Sequence, residues 1–166
     1  MKDLRKIVLT GLFAALGVVL SAFYIPTGLA KCYPIQSLLN VLAAVMLGPA
    51  YAVAMAFITS LLRVMLGTGS FLAFPGSMIG ALCSGLLYHR FHKLSAAYLG
   101  EVAGTGILGA LAAYPVAAYL LSAPAALFTY VLPFMVSSLI GSAISVVLLK
   151  ILERTKLFDL AHSHHF

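Results

Sequence analysis

Arg63 is the only basic residue of this 166-residue chain set within an apolar run rather than beside one. If that run crosses a bilayer, a charge near its middle costs at least ~2.5 kcal/mol. Arg63 therefore either faces a polar cavity within a helical bundle or snorkels to the headgroups. Gln36 and Asn40 stand four apart, which puts both amides on one face of a helix. Just beyond Arg63, the segment Gly67-Thr68-Gly69-Ser70 supplies two hydroxyls between glycines that let a loop fold closely over a small ligand. The guanidinium, the amide pair and the Thr68 and Ser70 hydroxyls form one candidate set of hydrogen-bonding groups, and Phe74 adds apolar or stacking surface. Tyr114, Tyr119 and Tyr130 lie beside Pro115 and Pro133, whose missing N–H groups release backbone carbonyls that need partners. A ring-lined cavity of this kind suits a small, flat, heteroaromatic molecule. Ordinary packing or anchoring at a membrane edge is the competing explanation for each ring.

Several chemistries are excluded. No GxxxxGK occurs, so ATP hydrolysis is not expected of this chain, and a GxG with no lysine after it is weak support for a phosphate loop. HExxH, paired carboxylates within a run and a matched Ser/His pair are all missing, so no catalytic residue is assigned and the chain reads as a non-enzyme. Glu101 is a carboxylate within an apolar run and has no acidic or histidine companion that sequence can identify. It is the basis of an alternative reading, a stand-alone proton-coupled secondary transporter. Cys32 and Cys83 are isolated and give neither a disulfide framework nor a metal site. The histidines of the tail Ala161-His162-Ser163-His164-His165-Phe166 lack acidic or cysteine companions, so a solvated tail is expected, with no metal and no cofactor bound by this chain.

These groups must be held by apolar helices. The chain is 63% hydrophobic and 8% charged, with mean hydropathy +1.09, whereas soluble domains are roughly 25% charged. An all-α integral membrane bundle of six transmembrane helices is expected, forming a single domain over 1–166 with spans at about 7–23, 35–47, 50–66, 75–88, 96–122 and 125–149. The second is short for a crossing, and a re-entrant segment is the alternative there. Gly48-Pro49 marks the break between spans two and three. Ser21-Ala22-Phe23-Tyr24 is a poor cleavage site, so the first helix is taken as retained. The net charge of +6 is not a nucleic-acid patch: Lys2, Arg5, Lys6, Arg90, Lys93, Lys150, Arg154 and Lys156 sit beside helix ends, which is the positive-inside pattern. Both termini are thus expected in the cytoplasm, with the segments around Lys31, Gly69 and Ala123 outside. Small-residue stripes at Gly100/Gly104 and Ser137/Gly141/Ser145 suit packing within the bundle, whereas Gly11 and Ala15 on the first span could meet another protein.

The segment Pro26-Thr27-Gly28-Leu29-Ala30-Lys31-Cys32-Tyr33-Pro34, the helix Asn40-Val41-Leu42-Ala43-Ala44-Val45, then Leu47-Gly48-Pro49, Leu62-Arg63 and Gly67-Thr68-Gly69-Ser70 through Leu72-Ala73-Phe74-Pro75-Gly76-Ser77-Met78-Ile79-Gly80 together resemble the ThiW family. The resemblance is close over spans one to four and rests mainly on hydropathy in the last two. It implies a substrate-binding S component of an energy-coupling factor (ECF) transporter in a bacterial or archaeal cell membrane. Such a component captures hydroxyethylthiazole, or a close thiazole precursor of thiamine, at the outer face. It also implies a membrane T component and two ATPase subunits as partners, with ATP used by those partners. The family's AxxxA contact on span one stands here as Gly11 and Ala15, the candidate T-component docking residues.

Overall fold

A computed structural model describes residues 2–26, 31–120 and 128–154. The segment Thr27–Ala30, the loop around Ala123, Lys156 and the histidine-rich tail lie outside the described residues. The described residues form six helices: α1 (Lys2–Val19), α2 (Pro34–Met46), α3 (Pro49–Met65), α4 (Ala73–Phe91), α5 (Leu94–Leu120) and α6 (Val131–Arg154). A 3₁₀ turn, Leu20–Ala22, extends α1. Between α1 and α2 lies a two-residue antiparallel ribbon, β1 (Ile25–Pro26) with β2 (Lys31–Cys32), in the register Ile25 to Cys32 and Pro26 to Lys31. The fold is otherwise all-α among the described residues.

By length and composition, three stretches among the described residues suffice to cross a membrane: Asp3–Ala22, Leu94–Leu120 and Val131–Arg154. The apolar helices α2 and α3 are shorter, at 13 and 17 residues. At 1.5 Å per residue α2 is only about 20 Å long. Its position accounts for this: every residue from Leu39 to Val45 is buried, so α2 is sheathed by the other helices. A helix that is apolar all round and covered by protein is a core element.

Small residues set the close approaches. Gly109 packs against Gly76 and Gly100 against Cys83 and Ser84, so α4 and α5 run antiparallel. A side chain at Gly141 would strike the backbone of Pro34 and Leu38, which places α6 hard against the first turns of α2. The Ser137, Gly141 and Ser145 positions are buried on that face. In contrast, Gly11 and Ala15 are exposed, and nothing lies within 4 Å of where a Gly11 side chain would begin. Gly48, at φ 96, turns α2 into α3, and Pro49 opens the latter.

The helices give the molecule two unlike ends. At one, Lys6, the Gly48-Pro49 turn, Tyr88, His89 and His92 surround a cavity. At the other lie the ribbon, Tyr33, the end of α3 and the start of α4. Within α5 the winding loosens to π-helical turns over Gly104–Gly109 and Val116–Leu120. Pro115, which has no N–H to donate, lies just before the second of these turns.

Candidate functional site

At the ribbon end, Lys31, Tyr33, Gln36, Arg63, Ser77 and Phe134 are among the side chains lining a cavity, with Ser37, Ala73, Gly76, Thr105 and Ser137 completing its wall. Arg63 is only 1% exposed. Its guanidinium carbon lies 3.7 Å from the centre of the Tyr33 ring, a cation–π stack. The Tyr33 hydroxyl in turn donates to the carbonyl of Thr68 at 2.9 Å. The ribbon that presents Lys31 is anchored through Cys32, whose thiol donates to the carbonyl of Pro133 at 3.0 Å. Lys31 itself sits 4.6 Å above the Tyr24 ring.

Beneath the cavity a hydrogen-bonded chain runs into the bundle. Arg63 Nη1 donates to Gln36 Oε1 at 3.4 Å, and Gln36 Nε2 donates to Asn40 Oδ1 at 3.2 Å. Asn40 Nδ2 carries two protons and uses both, toward Glu101 Oε1 at 3.0 Å and the carbonyl of Ser77 at 3.1 Å. The Thr105 hydroxyl stands 2.8 Å from the same Glu101 oxygen and 3.1 Å from the carbonyl of Gly76. Ser77 donates to the carbonyl of Ala73 at 2.7 Å, so its bond to Ser60, at 3.0 Å, takes the Ser60 proton. One polar network thus joins α2, α3, α4 and α5 where apolar contact alone would not fix their register. Gly80 leaves room for it, since a Cβ there would collide with Thr105 and come within 2.8 Å of Glu101 Oε2.

The sequence-predicted residues divide into three groups. Gln36 and Arg63 line the cavity; Asn40 lies under it, fully buried. Thr68 and Ser70 are exposed and do not line it. Their segment instead ends α3: Gly67, at φ 71, allows the N–H of Thr68 to reach the carbonyl of Arg63 at 2.9 Å while its own N–H reaches Val64 at 3.1 Å. This is a Schellman cap, and it occupies the amides of Gly67, Thr68 and Gly69 that a loop closing over a ligand needs. Gly69 also lets that turn lie against the Arg63 side chain, its virtual Cβ falling 2.9 Å from Arg63 Cβ.

The aromatic residues do not converge on the cavity. Phe74 packs edge-on to Phe57 and parallel to Phe71. Tyr130 belongs to a separate buried cluster with Ala110, Ala113 and Ala117, although it touches Phe134, which does line the cavity. Tyr114 is half-buried outside the lining, and Tyr119 is 88% exposed. Phe134 and Tyr33 therefore supply the rings. Sequence reasoning missed Lys31, Tyr33, Ser77 and Thr105 as wall residues, although it placed Phe134 with Tyr130 and Pro133 beside a ring-lined cavity. A signal existed in the hydroxyls at Ser77 and Thr105, each buried within an apolar helix. Glu101 is fully buried, and its companions are Asn40 and Thr105 rather than an acid or a histidine. No group of three or more His, Cys, Asp or Glu side chains that could hold a metal occurs among the described residues.

The family model described as thiamine-precursor transporter protein (ThiW) matches residues 7–155. No curated protein matches the chain. No solved structure does either.

Proposed function

Because the chain belongs to the ThiW family of thiamine-precursor transporter proteins, we propose that it is the substrate-capture subunit of an ATP-driven ECF-type importer, taking hydroxyethylthiazole or a related thiazole at the outer face of a bacterial or archaeal cell membrane. The observation that carries this reading is the buried Arg63, stacked on Tyr33 and lining a cavity at the end of the bundle opposite the basic helix ends. All six helices cross the membrane in this reading, the short α2 enclosed by its neighbours, and both termini face the cytoplasm. In this reading ATP is consumed by two partner ATPase subunits, which fits a chain that carries no GxxxxGK. The membrane T component connects them to this chain, and Gly11 and Ala15, open on the surface of α1, are the docking candidates. Lipid surrounds the remainder, and no nucleic acid is involved.

Calorimetric titration of the purified protein in nanodiscs with thiazoles and with unrelated vitamins tests substrate capture. Saturable binding confined to thiazoles is expected, and its absence refutes the proposal.

Glu101 favours a second reading, proton-coupled transport by this chain alone, because a buried carboxylate hydrogen-bonded to the hydroxyl of Thr105, which lines the cavity, is an arrangement a relay needs. Reconstitution separates the two. Uptake into liposomes driven by a pH gradient without ATPase subunits, and lost in Glu101→Gln, establishes the second; uptake that needs the ATPase module and survives Glu101→Gln establishes the first.

A further inference from the structure

Arg63 has five N–H donors in a planar fork. Among the described residues, Nη1 is committed to Gln36, while Nε and Nη2 have no hydrogen-bond partner although both are buried. These two nitrogens form one edge of the guanidinium, the edge that accepts a carboxylate or phosphate through two parallel bonds. A buried donor without a partner is costly, more so when charged. An acceptor that reached this edge would remove that cost.

The charged groups on the cavity wall are both cations. Lys31 stands on the same cavity wall. The chain has four acidic residues. Glu101 bonds to Asn40 and Thr105, with two amides between it and the arginine. Asp3 and Glu153 belong to the first turn of α1 and the last of α6, at the opposite end, and Asp159 lies outside the described residues. Two cations with no acid on the wall do not suit a neutral alcohol, which brings no charge to offset them.

From this edge and this charge imbalance we infer that the cavity takes an anionic ligand: a small heteroaromatic ring carrying an oxyanion, either a phosphate monoester or a carboxylate. The oxyanion seats on the Nε/Nη2 edge of Arg63 with Lys31 at the rim, and the ring lies toward Phe134. This rests on the proposed thiazole capture and specifies its substrate class. Both nitrogens are closed off in this structure, so the side chains packed around the edge must shift as the ligand enters, while Tyr33 stays stacked on the guanidinium face.

The test is calorimetric titration of the nanodisc-embedded protein with 4-methyl-5-(2-hydroxyethyl)thiazole, its phosphate monoester and 4-methylthiazole-5-carboxylate. One of the two anions is expected to bind roughly ten-fold or more tightly than the alcohol, the difference of one charge-assisted contact. Which anion wins identifies the oxyanion. Arg63→Gln is expected to abolish that preference. Lys31→Gln, a change at an exposed ribbon position that leaves the bundle intact, is expected to reduce it. Equal or tighter binding of the alcohol overturns the inference and leaves thiazole capture standing. If none of the three binds, thiazole capture fails, and inorganic phosphate then decides the anion site by itself: a rise in the thermal unfolding temperature that Lys31→Gln diminishes supports it, and no rise overturns it.

Discussion

Asn40 shows what a single side chain contributes to this site. Its amide accepts from Gln36 on one side and donates to Glu101 and the Ser77 carbonyl on the other. Replacement by alanine leaves a carboxylate oxygen and a carbonyl each short of a donor where both are buried. Asn40→Ala is therefore expected to destabilise the protein by about 1–3 kcal/mol, read as a lowered unfolding temperature in detergent, and to weaken thiazole binding because Gln36 and Arg63 lose their backing. An unchanged melting curve would mean that the network has little energetic weight. The i, i+4 spacing of Gln36 and Asn40 was legible in the sequence because it depends only on helix geometry. Their connection to Glu101, 61 residues further on from Asn40, was not, because it depends on which helices become neighbours.

The elements position these residues through their ends and their small faces. The Gly67 turn is the clearest case: its positive φ closes α3 so that the carbonyl of Arg63 accepts the N–H groups of Thr68 and Gly69. An alanine at Gly67 forces a Cβ into the left-handed region, at a cost of about 1–2 kcal/mol. Gly67→Ala is expected to lower the unfolding temperature and to weaken ligand binding by unsettling the last turn of α3; binding that stays at its original strength would separate the cap from the site. Gly141 tests packing instead. Leucine there must push α6 off the backbone of α2, overpacking that costs about 1–3 kcal/mol, and a protein that melts at the original temperature would contradict the close approach. The Gly48-Pro49 break and the internal packing of the Ser137/Gly141/Ser145 stripe were readable in advance, since turn and small-residue signals are local. The capping role of Gly67 to Ser70 was not legible, because a glycine-rich segment looks alike in sequence whether its amides cap a helix or await a ligand.

For the whole molecule, the two unlike ends matter most. The all-α architecture and six helices follow from hydropathy, but full crossing by each helix does not, because a short central helix and a short re-entrant one share the same composition. In a background lacking Cys32 and Cys83, a cysteine at Lys93 is expected to react with a membrane-impermeant label only in opened cells, and one at Ser70 in intact cells; the reverse pattern inverts the topology. That same orientation leaves α1 at the margin of the bundle, where Leu4, Val8, Leu12 and Val19 are exposed beside Gly11 and Ala15. Lipid gives helices no hydrophobic reason to associate, so close backbone approach over small side chains is what makes a docking face. A double change of Gly11 and Ala15 to leucine fills open space, without touching the network around Arg63. Thiazole binding is therefore expected to persist in the double variant while uptake and co-purification with the ATPase module are lost. Loss of binding together with uptake would mean that α1 supports the fold at this point, and surviving uptake would place the docking face on another helix.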